Sequence, residues 1–189
     1  MSVTAVPQTQ TTWAIDPAHS HVEFAVKHLM ISTVKGRFGD VQGTITASDD
    51  TFRDAVVDIT IGVASIDTRQ PDRDTHLRSA DFFEVDKFPT MTYRSTRVEA
   101  LGDDLRVAGQ LTIRGVSKEV ALKVTPEGTG KDPWGGQRAG FSATGRINRK
   151  DFGLTWNKAL ETGGVVVGEE VQLQIDAELI AKAPAATTN

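Results

Sequence analysis

The sequence contains no cysteine, which excludes disulfides, thiolate nucleophiles and thiolate metal ligands. No apolar run approaches the ~20 residues that a membrane-spanning helix requires, so we expect no stable membrane insertion. The net charge is only −4, and the basic residues form no block along the chain. This charge pattern argues against nucleic acid as a partner.

The two ends of the chain are polar and show no apolar periodicity. Residues 1–11 have neither the basic region nor the apolar core of a secretory signal, so we expect a cytoplasmic protein. We predict that residues 1–11 form a disordered arm and that residues 181–189 form a disordered tail. The segment 12–180 between them has no linker or repeat, and it is long enough for a single domain with its own core.

Apolar and polar residues alternate along most of this segment, which is the pattern of strands with one apolar face. Such apolar stripes lie in 22–26, 39–47, 55–63, 105–113, 120–124, 139–147 and 171–179. With a more polar strand at 91–98, they predict about eight strands. Several span ~9–12 residues, longer than the usual ~5–6. The connections from Met91 to Val124 are of hairpin length. Both features favour a closed antiparallel barrel over two packed sheets.

The alternation breaks between residues 65 and 93. Pro71 suits the first turn of a helix, because its missing N–H would have no intrahelical partner there. Two aspartates close behind it favour the same helix start, and Pro89 ends the segment. We predict a helix over 71–79 that plugs one end of the barrel. Phe82 and Phe83 should point inward and the charged side chains outward.

A specific residue pattern covers the same region. Its members are Thr68, Arg73, Asp74, His76, Leu77, Ser79, Asp81, Phe82, Phe83, Val85, Phe88 and Pro89. This pattern resembles the signature of the YceI-like family, bacterial lipocalin-like barrels that bind polyisoprenoid lipids. Shorter motifs agree with it at Trp13, Ile15, Asp16, His19, Ser20, Phe24, Val26 and His28, at Val34, Gly36 and Phe38, at Gly109, Leu111, Ile113 and Gly115, and at Arg149, Asp151, Phe152 and Gly153. The resemblance covers nearly the whole chain, from Trp13 to Glu178.

The resemblance implies an all-β fold, an extended eight-stranded antiparallel lipocalin-like barrel with a short helical insertion. It also implies a long isoprenoid chain inside that barrel, such as a quinone tail or a polyprenyl phosphate, and a possible homodimer. Many family members are periplasmic and carry a signal peptide, which we do not expect in this chain. No cofactor is expected apart from such a bound lipid.

Small residues recur on the predicted inward faces, among them Gly43, Gly109, Ala143 and Gly145. An eight-stranded barrel is just wide enough to be filled by side chains or to hold one small ligand. The small residues therefore either leave an apolar cavity or relieve crowding in a packed centre. Together with the resemblance, they lead us to predict a ligand-binding cavity. The predicted lining residues are Phe24, Val26, Phe38, Val57, Ile59, Ile61, Phe82, Met91, Leu111, Ile113, Phe141 and Trp156.

A lipid of this kind would place its polar head group at a mouth of the barrel. His19, Arg78 and Lys158 are the predicted head-group residues. The long loop 155–168 is a candidate portal, because loops longer than ~12 residues often act as lids. Trp134 and Trp156 lie in loops, where they either close the barrel ends or form an exposed interface.

The histidines suggest a metal site only weakly. His19 and His21 lie two apart on an extended segment and point the same way, so with His76 they could form a three-ligand site. No cysteine or tight carboxylate cluster accompanies them in the sequence. We therefore expect no metal, and we expect His19 and Ser20 to satisfy backbone groups where the strand begins.

Arg73, Asp74, His76 and Asp81 form the densest ionisable group. They are either an acid–base set at a pocket mouth or a structural set that caps the helix and pins it to the barrel rim. We favour the structural interpretation and predict no catalytic residue.

The leading hypothesis is therefore a non-catalytic protein that binds a long apolar lipid for carriage, storage or sensing. One alternative is an enzyme that acts on an isoprenoid lipid through His19, His76 or Asp81. The other is a ligand-free, packed barrel that acts through protein contacts alone.

Overall fold

The computed structural model describes residues 10–159, 161 and 164–182. Within them, eleven strands form one antiparallel sheet. The strands are β1 Thr11–Ile15, β2 His21–His28, β3 Ser32–Phe38, β4 Val41–Ala47, β5 Val56–Gly62, β6 Ile66–Asp67, β7 Thr90–Leu101, β8 Asp104–Ile113, β9 Val116–Lys131, β10 Gln137–Asn148 and β11 Val167–Ala181. One α-helix, α1, spans Pro71–Arg78, and 3₁₀ turns span Val63–Ser65 and Arg149–Phe152. No helix in these residues is long and apolar enough to cross a bilayer.

The sheet closes on itself as a barrel with eight strand positions. Three of these positions are each occupied by two short strands, so eleven strands fill the eight positions. β11 pairs along its first part with β2 and along its last part with β1, where Ile15 lies opposite Leu179. In the same way β3 and β4 share one position, and β5 and β6 share the next. The remaining strands β7 to β11 are continuous neighbours. The predicted closed antiparallel barrel is therefore confirmed.

The predicted terminal segments fall mostly outside the described residues, which begin at residue 10 and end at residue 182. The strands nevertheless extend slightly into both of them. β1 begins at Thr11 and β11 ends at Ala181, one residue inside the predicted arm and tail.

The two ends of the barrel differ in how they are covered. At one end, which we call the loop end, lie the connections 48–55, 102–103 and 132–136. Phe52 covers this end, since its ring packs against Trp13 and Phe141 at centroid distances of 5.5 and 4.8 Å. At the other end, which we call the helical end, lie α1 and the segments 79–89, 149–159 and 164–166.

The plug predicted from the sequence forms at the helical end. α1 ends at Arg78, one residue earlier than predicted, and the Gln70 side chain caps it by accepting a hydrogen bond from Arg73 N–H at 2.8 Å. Phe82 is buried and Phe83 half-buried, but both lie in turns after the helix. Phe83 packs edge-on against Phe38 at 5.9 Å.

One charged side chain of α1 points inward, contrary to the prediction. Asp74 is buried and accepts a hydrogen bond from Thr68 N–H at 2.9 Å. Arg73 donates to the same threonine, to its hydroxyl and to its carbonyl oxygen, both at 2.7 Å. Each of these contacts joins the helix to the segment that follows β6, which agrees with the structural interpretation of this ionisable group.

The apolar residues of the predicted stripes point inward, but they are not all equally buried. Val22, Ile61, Leu111, Ile113 and Leu179 are buried. Six further residues of these stripes are half-buried: Phe24, Val26, Val57, Ile59, Phe141 and Ile175. These six side chains lie on the wall of an internal cavity, which accounts for their exposure. A centre packed with side chains, the alternative left open by composition, is therefore wrong.

Candidate functional site

An apolar cavity of about 270 Å³ lies along the inside of the barrel. It extends from Phe52 and Ala55 at the loop end to Leu77 and Val167 at the helical end. The few polar residues that contribute to its wall are Ser20, His21, Tyr93, Arg149 and Asp176. A wall of this chemistry favours an apolar occupant, since it offers few hydrogen-bonding groups.

The structure brings together nearly all of the residues predicted to line the cavity. Those on the wall are Phe24, Val26, Phe38, Val57, Ile59, Ile61, Phe82, Met91, Leu111, Ile113 and Phe141. Trp156 is not on the wall. It packs at the helical end against His76 and Phe82, at centroid distances of 4.8 and 5.3 Å. Trp134, the other loop tryptophan, is 87% exposed.

Sequence reasoning missed several wall residues because they lie outside the alternating stripes. Phe52, for example, lies in the β4–β5 connection. Leu77 was assigned to the plug without a role in the cavity. Arg149 belongs to one of the motifs shared with the family, and that motif gave it no place on the cavity. Only its burial beside the cavity distinguishes it from the other arginines.

The glycines do not widen the cavity in the way that the sequence suggested. A Cβ at Gly109 would lie 2.7 Å from Cζ of Tyr93, so the Tyr93 ring already occupies that space. At Gly145 the space is occupied by the Leu122 side chain, whose Cδ2 would lie 2.6 Å from an added Cβ. These glycines make room for neighbouring side chains. Of the small inward residues, Ala55, Ala143 and Ala177 lie on the wall itself.

Tyr93 is a buried residue on this wall with a polar hydroxyl. Its hydroxyl oxygen lies 3.0 Å from Val107 O and 3.2 Å from Val120 O, and its single hydrogen is shared between these two acceptors. Burial, with a smaller contribution from the charge of Glu119, raises the pKa of Tyr93 to about 12. The neutral hydroxyl therefore joins β7 to the two strands that follow it.

Titration of this tyrosine is a direct check on the closed barrel, because the chain has no other. In the folded protein we expect tyrosinate absorbance to rise with a midpoint at about pH 12, and in denaturant near the ordinary value of ~10. Because folding raises this pKa, stability is fully present below pH ~10 and is lost as the pH rises through the folded-state value. A midpoint near 10 in native protein would contradict the buried placement of Tyr93. The variant Tyr93→Phe, which contains no tyrosine, gives the background absorbance.

The three predicted head-group residues lie in different surroundings. His19, whose side chain is 62% exposed, lies on the flank of the barrel beside Asp16. Arg78 donates to the carbonyl oxygens of Ala64 and Ile66, at 3.0 and 2.8 Å, and so anchors α1. Lys158 is exposed in the loop before β11. None of the three contributes to the cavity wall.

The histidines proposed as a three-ligand metal set are also separated. His21 lies 3.5 Å from a carboxylate oxygen of Asp176, whereas His76 contacts Asp81 at 2.8 Å. In the described residues, one cluster alone has the spacing for a metal: Asp16, His19 and Glu178. Arg138 already lies between its carboxylates, with its Nη1 2.6 Å from Asp16 and 2.7 Å from Glu178.

Because Arg138 compensates these acids, we expect Arg138→Met to destabilise the protein most near neutral pH. The hydrogen bond from His19, with those from Ala18 N–H and Arg138, lowers the pKa of Asp16. Its contribution to stability is present above the unfolded value of ~3.9 and is lost as the pH falls through the folded-state pKa. The difference between variant and wild type in urea midpoint should therefore shrink at acid pH. Arg146→Met, which removes an exposed arginine 3.8 Å from Glu170, is the control. An equal difference in urea midpoint at neutral and at acid pH would contradict the assignment of Arg138 as the partner of these acids.

Comparisons with known proteins agree with this fold. The family model described as the YceI-like domain matches residues 13–179. Protein YceI of Salmonella newport (strain SL254) is 46% identical over 137 residues, which are 72% of this chain and 72% of that protein. The crystal structure of the Campylobacter jejuni YCEI protein is 35% identical, with a TM-score of 0.69 over 83% of this chain and 90% of that one.

Two more distant structures share the fold. BcnA of Burkholderia cenocepacia is 24% identical, with a TM-score of 0.74 over 87% of this chain and 98% of that one. A polyisoprenoid binding domain from Saccharophagus degradans, implicated in plant cell wall breakdown, is 18% identical, with a TM-score of 0.65 over 90% of this chain and 98% of that one. Since the family model and the Salmonella relative both span most of the chain, the protein belongs to the YceI-like family.

Proposed function

We propose that this protein binds one long apolar lipid, of isoprenoid type, inside its barrel and does no chemistry on it. The observation that carries the proposal is the apolar cavity along the barrel, with its half-buried inward side chains. A polyisoprenoid binding domain with the same fold supports the choice of lipid. Carriage, storage or sensing of the lipid would all use the same site.

The shape of the cavity favours a slender chain over a compact ring. Its volume is about 270 Å³, yet its wall includes residues from both ends of the barrel. A flexible chain can contact this wall along its whole length. Each Å² of apolar surface removed from water contributes roughly 25 cal/mol, so affinity should grow with the buried length.

The positions of the residues named in the enzyme alternative argue against a catalytic role. His76 contacts Asp81 at 2.8 Å, and His19 contacts Asp16 at 3.0 Å. None of these four side chains contributes to the cavity wall. A general acid or base has to reach the reacting group directly or through one water. This placement supports binding without catalysis.

A series of prenols provides the test of length. We expect affinity to rise from geraniol through farnesol to geranylgeraniol and to level off once the cavity is full, because each isoprene unit buries further apolar surface. Isothermal titration calorimetry in a constant, low detergent concentration measures the series. Affinity that does not depend on chain length would show that the tail is not held in the barrel.

Native mass spectrometry of the purified protein provides the second measurement. We expect an added apolar mass that is released unchanged on denaturation. A released mass that changes with incubation time, but stays constant in His76→Ala, would instead support the enzyme. The same spectra report whether the protein is a homodimer, the assembly that the family resemblance implies.

A further inference from the structure

The turn between β2 and β3 carries three consecutive apolar residues, Leu29, Met30 and Ile31, which we call the apolar tip. Met30 and Ile31 are 59% and 85% exposed, and Leu29 is half-buried. A hydrogen bond from Ile31 N–H to His28 O at 3.2 Å closes the turn. None of the three residues contributes to the cavity wall or to the apolar core of the described chain. Neither the cavity nor the core therefore accounts for them.

The backbone of the turn does not favour apolar residues either. Leu29 and Met30 have φ angles of 51° and 60°, in the left-handed region that glycine and asparagine adopt most readily. A tight hairpin turn with two such positions usually contains Asn-Gly. The apolar tip therefore runs against local backbone preference as well as against its exposure to water, and a contact outside the chain would explain it.

The apolar tip lies beside the helical end of the cavity. His28 pairs with Val167, which is on the cavity wall, and Leu29 N–H donates to Val166 O at 2.9 Å. On the other side of the hairpin, β3 pairs with β6 only through its last two residues, so the hairpin extends beyond β6 toward the helical end. A surface that covers the apolar tip would therefore also lie next to this end of the cavity.

Two lysines lie close to the apolar tip. Lys27 is exposed near the end of β2, and its Nζ donates to the neutral hydroxyl of Thr33 at 3.2 Å. Lys158 is also exposed. Its carbonyl oxygen accepts a hydrogen bond from Val166 N–H at 3.1 Å, next to the bond that joins Val166 to Leu29. An exposed apolar segment flanked by cations is suited to an anionic lipid surface, because the apolar groups enter the interface while the cations stay at the head groups.

Most acidic residues of this region are compensated by basic ones. Glu169 pairs with Lys150 at 2.5 Å, and Glu170 lies 3.8 Å from Arg146. Glu161 is exposed in the loop that carries Lys158. Together with the two lysines, these acids leave a small excess of positive charge beside the apolar tip.

The loop end does not offer the same combination. Its exposed large apolar residues, Val56, Leu101 and Trp134, belong to three different hairpins. Single exposed apolar side chains are normal on protein surfaces. Phe52 also covers the cavity at that end.

We propose that the apolar tip docks on an anionic lipid bilayer. Met30 and Ile31 enter the interface, and Lys27 and Lys158 stay at the level of the head groups. The contact is shallow and peripheral, and no segment crosses the bilayer. It turns the helical end of the cavity toward the membrane, so that an apolar lipid can pass between bilayer and barrel with little exposure to water. This inference rests on the proposed function and goes beyond it, because it identifies where the lipid is exchanged.

Flotation of the purified protein with lipid vesicles tests the docking. We expect binding to vesicles of phosphatidylcholine and phosphatidylglycerol, and much weaker binding to phosphatidylcholine alone. The double variant Met30→Ser/Ile31→Ser should lower the partition coefficient at least about tenfold, because two apolar side chains no longer leave water. Lys27→Gln should lower it about fivefold, the effect of one lysine near an anionic surface.

The loop end supplies matched controls. Val56→Ser/Leu101→Ser removes the same number of exposed apolar side chains, and Lys131→Gln removes one exposed lysine. We expect both variants to bind vesicles like wild type. Transfer of geranylgeraniol from anionic vesicles to the protein is the second readout. It should slow in Met30→Ser/Ile31→Ser but not in the controls, while calorimetric affinity in detergent stays unchanged, since the apolar tip is not on the wall.

The outcomes separate this inference from the proposed function. Wild-type protein that binds geranylgeraniol in detergent but does not float with anionic vesicles would overturn the docking and leave the proposed function intact. Protein that floats but takes up no prenol would support the docking and refute the proposed function. Equal losses in the tip variants and in the controls would overturn the docking. A homodimer that Met30→Ser/Ile31→Ser dissociates, without vesicle binding, would overturn it too and assign the apolar tip to a second copy of the chain.

Discussion

The variant Ala143→Phe is expected to lose binding of geranylgeraniol by about 100-fold, which corresponds to roughly 2.7 kcal/mol, and to remain folded. Ala143 lies on the cavity wall in the middle of β10, opposite Val124 on one neighbouring strand and Ile175 on the other. A benzyl group at this position extends into the cavity and takes the volume that a tail would use. Titration calorimetry gives the affinity, and thermal unfolding checks the fold.

The neighbouring position supplies a matched control. Thr144 points to the outer face of the same strand and is exposed, so Thr144→Phe introduces the same ring without entering the cavity. We expect this variant to bind geranylgeraniol like wild type. If Ala143→Phe also binds normally, or if Thr144→Phe loses binding to the same extent, the lipid is not held along the barrel axis.

Gly109→Leu is not an equivalent way to block the cavity, although the sequence made it attractive. Since a Cβ at Gly109 would collide with the Tyr93 ring and with the carbonyl oxygen of Arg94, this change should damage the sheet. Whether a small inward residue leaves free space depends on the side chain that the cross-strand register places opposite it. That register follows from the closure of the whole barrel, which a single stripe of residues does not determine.

The elements that follow local rules were predictable. Alternation located the strands of the meander, because a strand with one face toward the core places every second side chain inward. Pro71 and Pro89 bounded the plug, because proline is tolerated only at certain backbone positions. The position of α1 agreed with the structure to within one residue.

The polar features of the site were not predictable, because each depends on contacts between distant parts of the chain. Arg149 is buried by the start of β11, whose Gly168 carbonyl is 19 positions away in sequence. Arg138 reaches Asp16 across 122 positions, which converts a histidine–carboxylate cluster into an ion-pair network. A motif identified both regions, but only the fold shows which groups surround each arginine.

Replacing Phe82 by Ala is expected to have the largest effect on stability. The Phe82 ring is buried against Trp156 and His76, at centroid distances of 5.3 and 5.1 Å, so it joins the plug to the loop before β11. Loss of a buried Phe costs ~3–5 kcal/mol, which is a large part of the ~5–15 kcal/mol that stabilises a domain. Adding Phe83→Ala removes the contact with Phe38 and should lower stability further.

Phe88→Ala is the control for this variant, because Phe88 belongs to the same segment but is half-buried and contributes nothing to the cavity wall. Urea unfolding at neutral pH measures all three variants, and we expect the Phe82 variants to have clearly lower midpoints than Phe88→Ala. Because Phe82 also lies on the wall at the helical end, its loss should speed the release of a bound prenol. A Phe82→Ala midpoint equal to that of Phe88→Ala would contradict the plug, whereas a lower midpoint with unchanged release would place the portal elsewhere.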